Sequence, residues 1–331
     1  MRRFAPLIAL VIAAIIVGIS WNFWTAKLRQ GMDSPAVSTP LSDELIATRE
    51  GWEWSYTEAG KPVVEVRAKD MKSVKAPSVM ELIGVEMKLF HQDGKVFDRV
   101  VSPKAQFAAN DGKLYSDAEV GITMGLSADD APPGRLVTIK SSGVSFEKDT
   151  GRAETERHAT FVLDVGEGEA EGASYDLQTR ELRLKSKVKL IWRGKDPASA
   201  PMHIEAGELL YREVDQKVFL SPWSKFSRNN LRMSGGSAVI TLEDGNIRLV
   251  DTVQASGADE APGRRVEFGA DQLQLLFQDK GLMEKITGQE NARLASISST
   301  TKTSIRSKRL DLSFKEANGA AELTNGLAQG S

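Results

Sequence analysis

Apolar and polar residues alternate along most of this chain. In "GEAEGASYDLQTRELRLKSKVKL", which begins at Gly168, Leu182, Leu184, Val188 and Leu190 fall on one side of an extended chain, and Arg183, Lys185, Lys187 and Lys189 on the other. Successive side chains of a strand point to opposite faces, so this is the pattern of a half-buried strand. "VVEVRA" repeats it with Val64 and Val66, and "KLYSDAEVGITM" with Leu114, Ala118, Val120, Ile122 and Met124. Asp93-Gly94, Asp111-Gly112 and Asp244-Gly245 mark tight turns, the last between two short strands in "SAVITLEDGNIRLV". "SVMELIGVEMKLF" and "RVEFGADQLQLLFQ" are the two segments that also suit a helix, and each fits a strand pair at least as well. The pattern predicts an all-β chain.

Small residues that open a strand recur at Ala68, Ala105, Ser141, Ala173, Ala206, Ala238, Ala270 and Ser307, a step of roughly 33 residues. In most units a bulky residue follows two to five places on, and in several a polar or Gly-bearing turn and a second alternating strand come next. A repeat of this length implies stacked units, each burying its face against its neighbours. Here each unit reads as a β-hairpin. The expected architecture is elongated and antiparallel, with two sheets face to face around an apolar interior.

The first thirty residues break the alternation. After Arg2 and Arg3 the chain is uncharged from Phe4 to Ala26. A spanning helix needs roughly 20 apolar residues, so this run suffices. Phe4, Leu7, Ile8, Ile15 and Ile16 would face lipid, and Trp21, Phe23 and Trp24 stand where an interfacial aromatic belt lies. A cleaved signal peptide is the alternative, but its apolar core is usually about 7–15 residues long. The expectation is an N-terminal tail and anchor over residues 1–29, with the N-terminus inside and the body exported. The stretch 30–45, with two Pro and several Ser and Thr, reads as a spacer.

Composition narrows the chemistry. The 331 residues contain no Cys and carry a net charge of −2, with a pI near 6.1. Disulfides, thiolate metal sites and cysteine nucleophiles are excluded, and no basic footprint for nucleic acid is present. His91, His158 and His203 fall in different units without metal-ligand spacing, and the carboxylates scatter through turns and outer faces. "GEGEAEG" has Gly spacing, but three Glu would repel phosphate. No catalytic site, metal or cofactor is expected.

The single anchor, the segment from Val64 to Met124 and the "G-x-A-x-G-A-x-Y-D" and "L-x-L-x-x-x-V-x-L" runs of the Gly168 stretch together resemble the LptC and LptA/OstA-like family of lipopolysaccharide transport proteins. The resemblance implies a β-jelly roll of folded-over hairpin sheets, a membrane-anchored and periplasmic location, and no enzymatic activity. It implies that an inner-membrane ABC transporter delivers lipopolysaccharide to the apolar interior, and that the lipid passes on to an LptA-like partner docked edge to edge. The exported part is longer than the family's usual body. An LptC-like part over 46–126 and an LptA/OstA-like continuation over 136–331 are expected, with a soft boundary at 127–135; one enlarged roll or two both remain open.

Candidates for the lipid-facing lining are Leu89, Phe97, Phe107, Tyr115, Phe161, Tyr175, Leu182, Leu184, Val188, Leu190, Leu209, Tyr211, Phe219 and Phe277. A protein core and a lipid trough select the same side chains, so each also reads as plain core. The last residues, "AAELTNGLAQGS", suit an exposed edge strand or a frayed tail. The alternative function is a non-catalytic structural scaffold of the envelope. A carbohydrate-acting sandwich is least favoured, for want of a carboxylate pair.

Overall fold

A computed structural model describes residues 44–48, 51–58, 60–73, 79–91, 94–108, 111–127, 138–147, 150–163, 165–176, 178–194, 200–278, 281–317 and 320–330. The predicted anchor, with Phe4, Leu7, Ile8, Ile15, Ile16, Trp21, Phe23 and Trp24, lies outside the described residues, as does most of the 30–45 spacer. The chain divides into two units, Met1–Glu44 and Leu45–Ser331, the second of which holds the strand ladder.

Among the described residues every regular element is a strand. The first are β1 (Glu44–Thr48), β2 (Gly51–Glu58), β3 (Lys61–Ser73), β4 (Val79–Phe90) and β5 (Val96–Ala108). Four short strands follow: β6 (Lys113–Ser116), β7 (Val120–Ser127), β8 (Thr138–Ser141) and β9 (Val144–Glu147). Next come β10 (Arg152–Leu163), β11 (Gly166–Asp176), β12 (Glu181–Trp192), β13 (Met202–Arg212) and β14 (Lys217–Arg228). The series ends with β15 (Leu231–Gly235), β16 (Ala238–Glu243), β17 (Asn246–Ala261), β18 (Arg264–Phe277), β19 (Met283–Ser298), β20 (Lys302–Ala317) and β21 (Ala320–Gln329). Both segments with helix-like spacing are strands. Each forms one bent strand, β4 and β18, rather than a strand pair.

From β2 onward, pairing is antiparallel between strands adjacent in the chain, so the ladder is a meander. Three of its rungs are split. β6 and β7 lie side by side against β5, β9 and β8 lie against β10, and β15 and β16 lie between β14 and β17. The pairs β6–β9 and β7–β8 carry the ladder across the 128–137 stretch. At the β16–β17 turn, Asp244 and Gly245 both take positive φ, 48° and 82°, as the Asp-Gly signal of a tight hairpin requires.

The unsplit long strands break at the same level as the split rungs. Register shifts fall between Thr155 and His158, Glu169 and Glu171, Leu184 and Val188, Ala206 and Glu208, and Gln289 and Ala292. Lys187, Gln254, Glu290 and Asn291 take left-handed φ of 50–55° there. Bulges of this kind bend a strand, and a row of them bends a sheet. Interrupted pairing also frees carbonyls, and hydroxyls at the same level donate to them: Thr155 Oγ1 to Ser142 O (2.7 Å), Ser224 Oγ to Gly236 O (2.9 Å) and Ser186 Oγ to Glu171 O (3.1 Å).

This row gives the 33-residue repeat its meaning. Ala173, Ala206 and Ala270 sit at the bends in the middle of strands, not at strand starts as the spacing suggested. The step spans two strands because the chain crosses the crease once per strand, and intervening crossings in β10, β14, β17 and β19 use Ala159, Ser224, Ala255 and Ala292, all buried. Small side chains are needed because opposed surfaces meet there. A Cβ on Gly288 would lie 3.1 Å from the Ala270 Cβ and 3.4 Å from that of Ala292.

On either side of the crease the inward residues form one continuous apolar core. The outward faces carry cross-strand ion pairs such as Lys189 Nζ–Glu169 Oε1 (2.8 Å) and Arg193 Nη2–Glu167 Oε1 (2.6 Å). Exposed pairs of this type contribute about 0–1 kcal/mol each, so the core carries the stability.

Candidate functional site

The crease divides each bent strand into two arms. β12 illustrates the result: Leu182 and Leu184 precede its bend, Leu190 and Trp192 follow it, and all four line one cavity. Leu209, Tyr211, Val218 and Leu242 join from one arm, and Phe161, Leu163, Val165 and Met124 from the other. The sheet is therefore folded over its apolar face. The cavity has a water-accessible volume of about 80 Å³, room for a few waters.

The structure brings half of the predicted lining together at one cavity. Phe161, Tyr175, Leu182, Leu184, Leu190, Leu209 and Tyr211 face this cavity. Leu89, Phe107, Val188 and Phe277 are buried elsewhere in the same core. Toward β2, Phe107 meets Trp52 and Trp54 from the opposite arm, with ring centroids 5.5 and 5.0 Å apart. These three aromatic rings fill the interior between the arms at that end of the ladder.

Three predicted positions are corrected. Tyr115 is 40% exposed, and its hydroxyl donates to Asp117 Oδ1 at 3.2 Å. In β6 the inward places belong to Leu114 and Ser116, so strand alternation turns Tyr115 out. Phe97 is outward because its neighbour Asp98 takes the inward place; its ring pairs with Phe90 at 5.7 Å, under Lys88. Phe219 lies between the inward Val218 and Leu220, and Arg212 covers its ring at 5.0 Å. Phe97 and Phe219 are each half-buried, with a cationic head group over the ring.

The polar end of the cavity was not legible from motifs. It is lined by His91 and Asp98 from one arm, and by Tyr175, Arg180 and Glu213 from the other. Asp98 is only 1% exposed, which corrects the reading of the carboxylates as confined to turns and outer faces. Its Oδ1 accepts from the Gly125 amide (2.8 Å) and lies 3.1 Å from His91 Nε2. That hydrogen bond raises the His91 pKa above 6.5 against the opposing effect of burial. Arg180 Nη2 bonds Glu213 Oε1. Burial, and then the charge of Asp98, hold the Tyr175 phenol protonated. The one available signal was parity, since Asp98 stands two places before the inward Val100. Among the described residues no group of three or more His, Asp or Glu is placed to hold a metal ion, and no helix is long and apolar enough to cross a membrane.

A family model described as "LptC: Lipopolysaccharide-assembly, LptC-related" matches residues 10–193, more than half of the chain. The matched region runs from the apolar N-terminal segment to the end of β12 and includes the residues on both sides of that strand's bend. No curated protein matches the chain.

Proposed function

The chain belongs to the LptC-related family of lipopolysaccharide-assembly proteins, and on that premise we propose that it is a membrane-anchored conduit for lipopolysaccharide. In this reading residues 1–29 hold it in the inner membrane and the strand ladder stands in the periplasm as a β-jelly roll. An inner-membrane ABC transporter loads the acyl chains between the two arms. The protein carries out no covalent chemistry; it shields apolar chains from water as they move along the crease. Residues 46–126 and 136–331 are two lengths of one roll, the second prolonging the apolar interior of the first.

The observation that carries the reading is that both arms of a single strand line one apolar cavity, so the interior is a folded trough rather than the seam of two separate sheets. At about 80 Å³ the trough is nearly closed, and loading requires the arms to part. The two ends of the ladder differ. Trp52, Trp54 and Phe107 fill the β2 end, whereas the last strands expose Ile305 (37%) and Leu327 (49%). Among the described residues β21 pairs only with β20, which leaves an edge that a strand of an LptA-like partner can extend.

The test is to isolate the full chain from membranes that make lipopolysaccharide and identify the lipid extracted with it. Lipopolysaccharide at near one per chain is the expected result. A chain that retains its fold and yields no lipid would favour the alternative, a structural scaffold of the envelope.

A further inference from the structure

A second hollow opens on the outer face of β13 to β19, with a water-accessible volume of about 600 Å³, within the range of small-molecule sites. Its floor is made of short outward side chains, Ser227, Ser234, Ser256 and Ala258. Among the described residues none of the three serine hydroxyls has a hydrogen-bond partner. Four cations stand around the floor, Lys225, Arg232, Arg265 and Arg293, against two carboxylates, Glu205 and Glu267. Both carboxylates are engaged: Glu267 Oε1 lies 2.9 Å from Arg265 Nε, and Glu205 Oε2 lies 3.9 Å from Lys225 Nζ. Arg232 and Arg293 have neither an ion pair nor a hydrogen bond among the described residues. Elsewhere on the outer face Arg67, Arg99, Arg193 and Arg212 each meet a Glu.

Arg293 also stands directly across from Arg306 of β20, and like charges opposed on neighbouring strands destabilise a sheet. The Arg293 guanidinium leans away from β20, over Gly269 of β18. A Cβ at Gly269 would lie 3.0 Å from Arg293 Nε and 3.2 Å from Nη2, so only glycine leaves it this place. β15, which carries Arg232, is two strand spacings from β18, roughly 10 Å. Between them lie Ser256 and Ala258 of β17. Two unpaired guanidiniums thus flank a floor of free hydroxyls, every one of them able to donate.

We propose that this outer hollow binds a phosphate monoester, with Arg232 and Arg293 on its oxygens and the serine hydroxyls donating from the floor. A guanidinium fork pairs two phosphate oxygens at once. A monoester carries nearly two negative charges at neutral pH and so balances the excess of two positive charges around the hollow. An uncharged ligand would leave that excess in place, and a cation would add to it. The hollow lies within residues 203–293, beyond the residues 10–193 that match the family model, and on the face turned away from the trough. It therefore belongs to this chain's continuation and does not depend on the conduit reading. A free sugar phosphate and a phosphorylated lipid headgroup share this chemistry.

The test uses the full chain in uncharged maltoside micelles at low ionic strength, titrated with glucose 1-phosphate and, separately, with dodecyl phosphate. Phosphorus NMR and calorimetry follow binding. Saturable binding is expected, and Arg232→Gln and Arg293→Gln should each weaken it about ten-fold, the worth of one charge-assisted hydrogen bond. Arg67→Gln, which removes a paired outward arginine on β3, should leave it unchanged; melting midpoints verify that all three variants fold. Binding of glucose 1-phosphate that the two variants weaken supports the site and assigns a free phosphate ester. Binding of dodecyl phosphate alone, weakened in the same way, supports the site and assigns a lipid headgroup. No saturable binding of either probe would overturn the proposal. So would binding that Arg232→Gln and Arg293→Gln leave unchanged, or that Arg67→Gln weakens as much as they do.

Discussion

Leu184 and Leu190 stand six residues apart on one strand, on opposite sides of its bend, and line the same cavity. Between them the register of β12 against β13 shifts, and Lys187 adopts a φ of 52°. An unbent strand would carry these residues about 20 Å apart along one sheet face. The bend turns an ordinary alternating strand into two walls.

The conformation of Lys187 makes the bend testable by itself. A β-branched residue is strongly disfavoured at left-handed φ, whereas glycine adopts it freely. Lys187→Val is expected to lower unfolding free energy by about 1–2 kcal/mol, and Lys187→Gly to leave it nearly unchanged or raise it. Chemical denaturation of the two variants measures this.

Crowding at the folded-over face gives a second expectation. A Cβ on Gly168 would come within 2.3 Å of Phe161 Cζ and 2.5 Å of the Lys189 carbonyl oxygen. The backbone oxygen cannot swing aside as a side chain would. Gly168→Ala should therefore destabilise the protein by about 1–3 kcal/mol, read as a lower denaturation midpoint. Leu184→Ala, which empties a site only 1% exposed, should cost about 2–5 kcal/mol.

Much of this was legible in the sequence, and the reasons for the rest are specific. Alternation identified the strands and the inward row Leu182, Leu184, Val188 and Leu190, because period-two burial is written directly into residue type. The spacing of small residues was visible too. Its meaning was not, since Ala173 or Ala206 at a bend looks the same in sequence as Ala opening a strand. Aromatic identity misled at Phe97, Tyr115 and Phe219, where neighbouring parity outranks hydrophobicity. Asp98 went unseen because nothing local marks a carboxylate as buried; its partners His91, Gly125 and Tyr175 come from separate strands and turns.

His91 gives the protein a pH dependence near neutrality. Its folded pKa is raised above 6.5 by the hydrogen bond to Asp98, with Arg180 and Glu213 acting in opposite senses nearby. Stability from the charged pair is thus complete below pH 6.5 and is lost as pH rises through the elevated value. Thermal melts of the wild type should fall across that interval, and those of His91→Gln should lack the fall. Parallel curves would remove His91 as the cause.

Partner docking at the last strand predicts a separable loss. Removing residues 318–331 takes away β21 and uncovers the edge of β20, while the core around Leu182 and Leu190 keeps its neighbours. Affinity for an LptA-like protein should drop at least ten-fold with little change in the main unfolding transition. Unchanged affinity would exclude β21 as the docking edge.

Site-specific photo-crosslinking in lipopolysaccharide-producing cells tests the central claim most directly. A photoreactive residue replaces, one at a time, the inward Leu184, Leu190 and Leu209 and the outward Lys187 and Tyr115. Lipopolysaccharide adducts from the three inward positions, on both sides of the crease, and none from the outward two, are predicted. Adducts confined to the outward positions, or absent from every inward one in a folded and expressed protein, would contradict the conduit.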